Sequence, residues 1–334
     1  MTILREDKMK KRFFAAIAVL LLLFGLAGCK KDVGTPEDNA KPQEPEEEVE
    51  TYRFGFSAMT MENPYYGALE SAVREHVENS GSTLITKDPK LDVDLQIAQI
   101  DEMIEEGIQA IFLTPVDWEA IEPALQHLKD ADVKIINLDT EVKNLDMIDA
   151  YIGSDNTSAG ELCGKQLVEA APDGGKVVLL ECPTMNSIND RITGFETAIS
   201  EKGFEIVGRS DVRGDRQSSF TATKELLLAH NDVTAIMCGN DQIALGALDA
   251  VKELKQTEIR IYSVDGSPEL KKELEKPDTP VAGTSGQAPL KMAKEAVETA
   301  ILMMQGEDYE ETVYEEVFFI NQDNVDMYGT DGWQ

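Results

Sequence analysis

The feature that most constrains this chain is a repeated alternation of short apolar strands and amphipathic helices. Apolar, β-branched runs recur at 52–57, 83–86, 110–114, 134–138 and 150–153, then at 176–181, 205–207, 235–238, 260–264, 281–284 and 313–320. Between them, Leu95, Ile97, Ala98, Ile100, Met103 and Ile104 fit one helix face, as do Ala244, Leu245, Leu248, Val251 and Leu254. Phe220 with Leu226, Leu227 and Leu228 is assigned to a third. Strands that are apolar at nearly every position are covered on both faces, so the pattern predicts α/β architecture with parallel sheets. Eleven such runs are too many for one small doubly wound sheet and predict two lobes. The 334 residues agree, since they exceed what one core usually serves. No 33- to 45-residue motif recurs, which argues against a solenoid. No strand is followed by Gly-x-Gly-x-x-Gly and no Walker loop is present, so nucleotide-cofactor folds lose their main support.

Charge narrows the partners. Lys and Arg number 31 against 63 Asp and Glu, a formal charge of −32. Such a surface repels phosphate backbones, and no nucleic-acid partner is expected. The first residues depart from this balance. Lys8, Lys10, Lys11 and Arg12 precede an apolar run over 13–26 that is too short for a confident membrane span. Basic residues, a short apolar run and small residues form a secretion signal, here over residues 1–28. Its ending, Leu26-Ala27-Gly28-Cys29, resembles a bacterial lipobox, which implies lipidation of Cys29 and an extracytoplasmic, membrane-anchored protein. Residues 29–51 carry Pro36, Pro42, Pro45 and the Glu46-Glu47-Glu48 run with little apolar content, and are expected to form an extended acidic tether.

Polar residues collect where such folds bind ligands, beyond the carboxyl ends of strands. Asn63, Pro64, Tyr65 and Tyr66 follow the first run, Asp139 and Thr140 the fourth, and Asp190-Arg191 the sixth. Gly239-Asn240-Asp241, Asp265-Gly266 and Gln287 follow three later runs. Carboxylates and amides take hydroxyl protons, a guanidinium donates back, and rings cover C–H faces, which suits a neutral polyhydroxyl ligand. Each group also has a plainer reading. Asp241 fits a helix cap and Asp265-Gly266 a turn, Tyr65 and Tyr66 could pack in a core, and Arg191 could lie on a helix surface. Trp118, at another strand end, is left outside the site.

From about Tyr52 to Val325 the sequence resembles the ribose/galactose-type periplasmic sugar-binding proteins, solute receptors of ABC transporters. The resemblance rests on Asn63-Pro64-Tyr65-Tyr66, Ile135-Ile136-Asn137-Leu138-Asp139, Ile152-Gly153-Ser154-Asp155-Asn156, Arg191-Ile192-Thr193-Gly194-Phe195, the run from Gly239 to Ala247, and Val264-Asp265-Gly266. It implies ligand-binding roles for Asn63, Tyr65, Tyr66, Asp139, Arg191, Asn240, Asp265 and Gln287, and Thr140, beside Asp139, is expected to join them. It also implies two type I periplasmic-binding-protein lobes joined by a three-stranded hinge, over 52–154 with 288–316 and over 155–287 with 317–334. Two positions depart from the ribose-binding pattern. Thr140 stands where an arginine is usual, and no aromatic lies near Gly214 or Asp215 before Phe220. These departures predict a hexose, another pyranose or a polyol rather than ribose. A monomer that hands its ligand to a membrane permease is expected.

Enzymatic constellations are missing from the sequence. His76, His127 and His230 lie in polar helical contexts, no His/Cys cluster has metal spacing, and no nucleophile elbow occurs. No cofactor or metal is expected. Asp139 and Asp265 could in principle serve a secreted glycoside hydrolase, but binding explains them with fewer assumptions. A sugar or autoinducer sensor feeding a membrane kinase or chemoreceptor would use the same fold. Cys182 and Cys238 read as inert buried thiols.

Overall fold

The computed structural model describes residues 50–334. The expected signal peptide, Cys29 and nearly all of the tether therefore lie outside the described residues.

The first half of the chain runs β1 (Arg53–Ser57), α1 (Pro64–Asn79), β2 (Thr83–Lys87), α2 (Val93–Glu105), β3 (Ala110–Leu113), α3 (Glu122–Asp130), β4 (Lys134–Leu138) and β5 (Ala150–Ser154). The second half runs α4 (Asn156–Ala170), β6 (Gly175–Glu181), α5 (Asn186–Ile199), β7 (Phe204–Asp211), α6 (Arg216–Ala229), β8 (Val233–Cys238), α7 (Asp241–Leu254), β9 (Arg260–Asp265), α8 (Pro268–Leu274) and β10 (Val281–Gly286). The chain then returns through α9 (Pro289–Gln305), β11 (Thr312–Glu315), β12 (Phe318–Ile320) and α10 (Val325–Tyr328).

Two six-stranded sheets result, ordered β11-β5-β4-β3-β1-β2 and β12-β10-β9-β8-β6-β7. Each belongs to one α/β lobe. Phe54 and Phe112, neighbours across β1 and β3, bury completely with ring centroids 5.6 Å apart. Burial of one such side chain stabilises by roughly 1.5–3 kcal/mol. The strand order reverses at β1 in one sheet and at β6 in the other, and such switch points open crevices at the carboxyl ends of strands.

Two expectations need correction. The single strand expected over 313–320 is two strands, one in each sheet, separated by Glu316 and Val317. That break lets the chain leave the first sheet beside β5 and enter the second beside β10. The expected parallel-sheet lobes are present, and the second sheet gains β12 as an antiparallel edge strand beside β10. Finally, Leu226, Leu227 and Leu228 do not share a face. Successive helical residues point about 100° apart, so Leu227 is buried and Leu228 is 73% exposed.

One close packing positions a site residue. A Cβ added at Gly160 in α4 would lie 1.8 Å from the Arg191 carbonyl oxygen, and one at Gly194 in α5 would lie 2.0 Å from that of Thr157. The two helices thus touch backbone to backbone, which sets Arg191 beside the first residue of α4.

Candidate functional site

The site is assembled at helix starts and strand ends. Asn63 caps α1 by accepting from the Tyr65 backbone N–H at 3.0 Å, and Pro64 fixes the first helical turn. The cap places Tyr65 and Tyr66 as an edge-to-face pair with centroids 5.4 Å apart. Both hydroxyls reach Asp139: Tyr65 donates to Oδ1 at 3.0 Å and Tyr66 to Oδ2 at 3.4 Å. Asp139 follows β4 in a left-handed backbone conformation (φ 63°). The Tyr151 hydroxyl holds it there by donating to its carbonyl at 2.9 Å.

The second lobe contributes a matching carboxylate. Asp265 ends β9 at φ 138°, a region L-residues rarely occupy. Such backbone strain costs of order 1–3 kcal/mol and concentrates at functional sites. Its Oδ1 accepts from Gln287 Nε2 at 2.8 Å and from Arg191 Nη1 at 3.5 Å, and its Oδ2 accepts from the Asp241 N–H at 3.4 Å. Arg191 is oriented by Asn156, whose Oδ1 accepts from Nε at 2.8 Å, and by the Gly239 carbonyl at 3.0 Å. Asn240 caps α7 through the Ile243 N–H at 2.9 Å while its amide donates to the Gly214 carbonyl at 3.3 Å.

Electrostatics follow from this crowding. Burial pushes Asp139 above the usual carboxylate range, opposed by the Arg191 charge and the tyrosine hydrogen bonds. Burial pushes Asp265 well above it; Arg191 opposes the shift, and Asp241 and Asp139 add to it. Burial also drives the Tyr65 and Tyr66 phenols well up, so they act as donors. Gln287 is 1% exposed and its Oε1 has no hydrogen-bond partner. A buried unpaired acceptor is unfavourable by roughly 1–3 kcal/mol, and a ligand hydroxyl would relieve it.

The structure joins the expected residues in two groups. Tyr65, Tyr66, Asp139 and Thr140 form one cluster, and Arg191, Asp265 and Gln287 form the other, all deeply buried. Asn63, Tyr66 and Asn240 line a cavity of about 260 Å³ between the lobes, with Met59, Met185 and Arg213. Thr140 has a role that sequence reasoning did not assign. Its hydroxyl lies 2.7 Å from that of Ser187 in α5, bridging the lobes. Trp118, set outside the site, also joins the lobes through its N–H to the Thr184 carbonyl at 3.1 Å.

Asn156, Ser187, Met185, Arg213 and Asp241 were missed as site residues. Asn156 stood within a motif already singled out, so it was legible. Met185 carries no pattern, yet its Sδ would lie 3.2 Å from a Cβ at Gly214, the region where ribose-type relatives are expected to carry an aromatic. Asp241 braces the floor of the site. Its carboxylate accepts from the Ser263 and Thr284 hydroxyls at 2.5 and 2.8 Å and from the Ser267 N–H at 2.6 Å. Asn240, not Asp241, is the cap of α7. Cys163, Cys182 and Cys238 are free and buried, and burial raises all three thiols, Cys163 and Cys182 to about 11. Among the described residues no group of His, Cys, Asp or Glu is arranged to hold a metal ion.

Comparison with known proteins agrees with this geometry. The family model for the periplasmic binding protein domain matches residues 54–308. The ribose import binding protein RbsB of Bacillus subtilis (strain 168) is 26% identical over 299 residues, covering 89% of this chain and 95% of that protein. A Mycobacterium smegmatis ABC transporter solute-binding protein, solved with bound glycerol, superposes with a TM-score of 0.79 at 28% identity, covering 83% and 96% of the two chains. A Bacillus halodurans C-125 solute-binding protein with bound myo-inositol shares the fold, with a TM-score of 0.78 at 20% identity and coverage of 85% and 99%. This chain therefore belongs to the periplasmic binding protein domain family, and it is similar to ribose-binding members of that fold.

Proposed function

We propose that this protein captures a monosaccharide or similar polyol between its lobes and delivers it to an ABC transporter permease from the outer face of the cell membrane, anchored through Cys29. The reading rests chiefly on the Arg191–Asp265–Gln287 cluster. A strained, buried carboxylate, a guanidinium and an amide with one unpaired oxygen together offer donors and acceptors but no net charge excess suited to an ion. Tyr65 and Tyr66 supply the apolar ring faces a sugar needs. The relatives' names and bound molecules, ribose, glycerol and myo-inositol, are all hydroxyl-rich.

The lobes are taken as 52–154 with 288–316, and 155–287 with 317–334. Ligand docks on one lobe and is enclosed by the other, and greater affinity for the closed form drives the hinge. Thr140 is engaged with Ser187, and Met185 and Arg213 line the cavity, so the ligand is taken to be a hexose, pyranose or polyol rather than ribose. The protein acts as a monomer. Thermal shift of the soluble body against pentoses, hexoses, polyols, nucleosides and amino acids tests the reading, because a bound ligand raises the melting temperature by linkage. A rise with a sugar or polyol is expected, and a rise with amino acids alone would contradict it.

A further inference from the structure

Lys271 is buried to 0% exposure in α8 and forms no ion pair among the described residues. Its ammonium donates instead to two acceptors in the segment 329–334: the Gly332 carbonyl at 2.7 Å and Gln334 Oε1 at 3.1 Å. A buried ammonium without partners is strongly unfavourable, so these two acceptors are required where it stands. The same segment is fastened to the second lobe by Lys272 with Asp331 at 3.6 Å and by Thr330 donating to Glu275 at 3.4 Å.

Its other side meets the first lobe. The Trp333 ring packs edge-on against Tyr65, with centroids 5.5 Å apart at 78°. The Gln334 carbonyl accepts from the Leu290 N–H at 3.4 Å, at the start of α9, which packs on α1. Tyr65 is the residue whose hydroxyl holds Asp139. One six-residue stretch therefore contacts a buried lysine of one lobe and a binding-site ring of the other.

We propose that Trp333 is a positioning residue for Tyr65 and that Lys271 is its anchor, so that segment 329–334 ties the two lobes together, with or without ligand, and slows ligand release. The link to release rests on the sugar-binding reading, whereas the link between the lobes does not. Edge-to-face ring contact adds favourable energy beyond its buried area, enough to change an opening equilibrium by up to about tenfold.

Hydrogen exchange on the full chain without ligand tests the link. Lys271→Met keeps the stem and removes the donor, and Trp333→Ala removes the ring. Each should speed exchange in residues 64–70, the start of α1, by up to about tenfold, and the double variant should add little more. Lys271 lies in the other lobe, so a purely local role would change exchange in α8 alone, and that pattern would overturn the proposal. Trp333→Phe should restore most protection. Should Lys271→Met fail to fold, Lys271→Gln and the Trp333 pair carry the same comparison. D-galactose, myo-inositol and glycerol then serve as release probes. Faster release from Trp333→Ala at unchanged melting temperature supports the proposal. Unchanged release of a probe that does bind overturns the claim on release. Coupled exchange with no sugar or polyol of the thermal-shift panel bound refutes the sugar reading while upholding the link.

Discussion

At the scale of single residues, Asp265 combines features that a packing role does not require. It is strained in backbone, buried, and close enough to Asp241 and Asp139 for their charges to oppose its own ionisation. Glycine would adopt this backbone with less strain, so the strain at this position goes with placing a carboxylate in the site. Asp190 shows the same physics at the lobe interface, where it can be read against pH. Burial, with Glu141 adding, lifts its carboxyl from 3.8 to about 6. Across that window the folded form holds more protons than the unfolded chain, so its contribution to stability is full below pH 4 and is lost as pH rises through 6. Asp190→Asn should therefore flatten the fall in melting temperature between pH 4 and 6. Superimposable profiles for the two proteins would contradict this. Asp139, Asp265 and Arg191 were legible in the sequence because their types and strand-end positions point to hydroxyl binding. Lys271 and Trp333 were not legible, because a lysine in a polar helix and a tryptophan beyond the last strand carry no pattern. Only the three-dimensional arrangement brings them together.

At the scale of elements, helix contacts decide where the guanidinium sits. α4 and α5 approach until Gly160 abuts the Arg191 carbonyl, so a side chain at 160 must separate them. Gly160→Ala should destabilise the protein by about 1–3 kcal/mol and displace Arg191 from Asn156. Gly67, within α1, has open space around it, and Gly67→Ala should instead stabilise by about 0.5–1 kcal/mol. Urea unfolding of the two variants checks both signs. Most strands were legible because parallel strands covered on both faces read as unbroken apolar runs. The run over 313–320 misleads for a different reason: apolar residues flank Glu315-Glu316 on both sides, and that charged pair, where the chain passes between the sheets, is the sign of the break. Leu228 misled in another way: its apolar character was read as burial, but the turn of α6 carries it to the exposed side.

At the scale of the whole molecule, polar contacts hold the lobes in register. Thr140 with Ser187, Trp118 with Thr184, and Asn186 donating to Glu141 at 3.5 Å all cross between them. These bonds are few and mostly neutral, which suits an interface that opens and closes. The identity of the lobes followed from strand counting, and the cleft followed from strand-end chemistry. The ligand is specified less closely, because its fit depends on cavity walls such as Met185 and Arg213 that come from loops without a motif. The central claim is that carboxylates from both lobes grip one hydroxyl-rich ligand. Calorimetric titration of the strongest sugar or polyol from the thermal-shift panel, into the wild-type protein and into Asp265→Ala, tests it most directly. Asp265→Ala is expected to stay folded and to show no measurable binding; an affinity equal to that of the wild type would contradict the two-lobe grip.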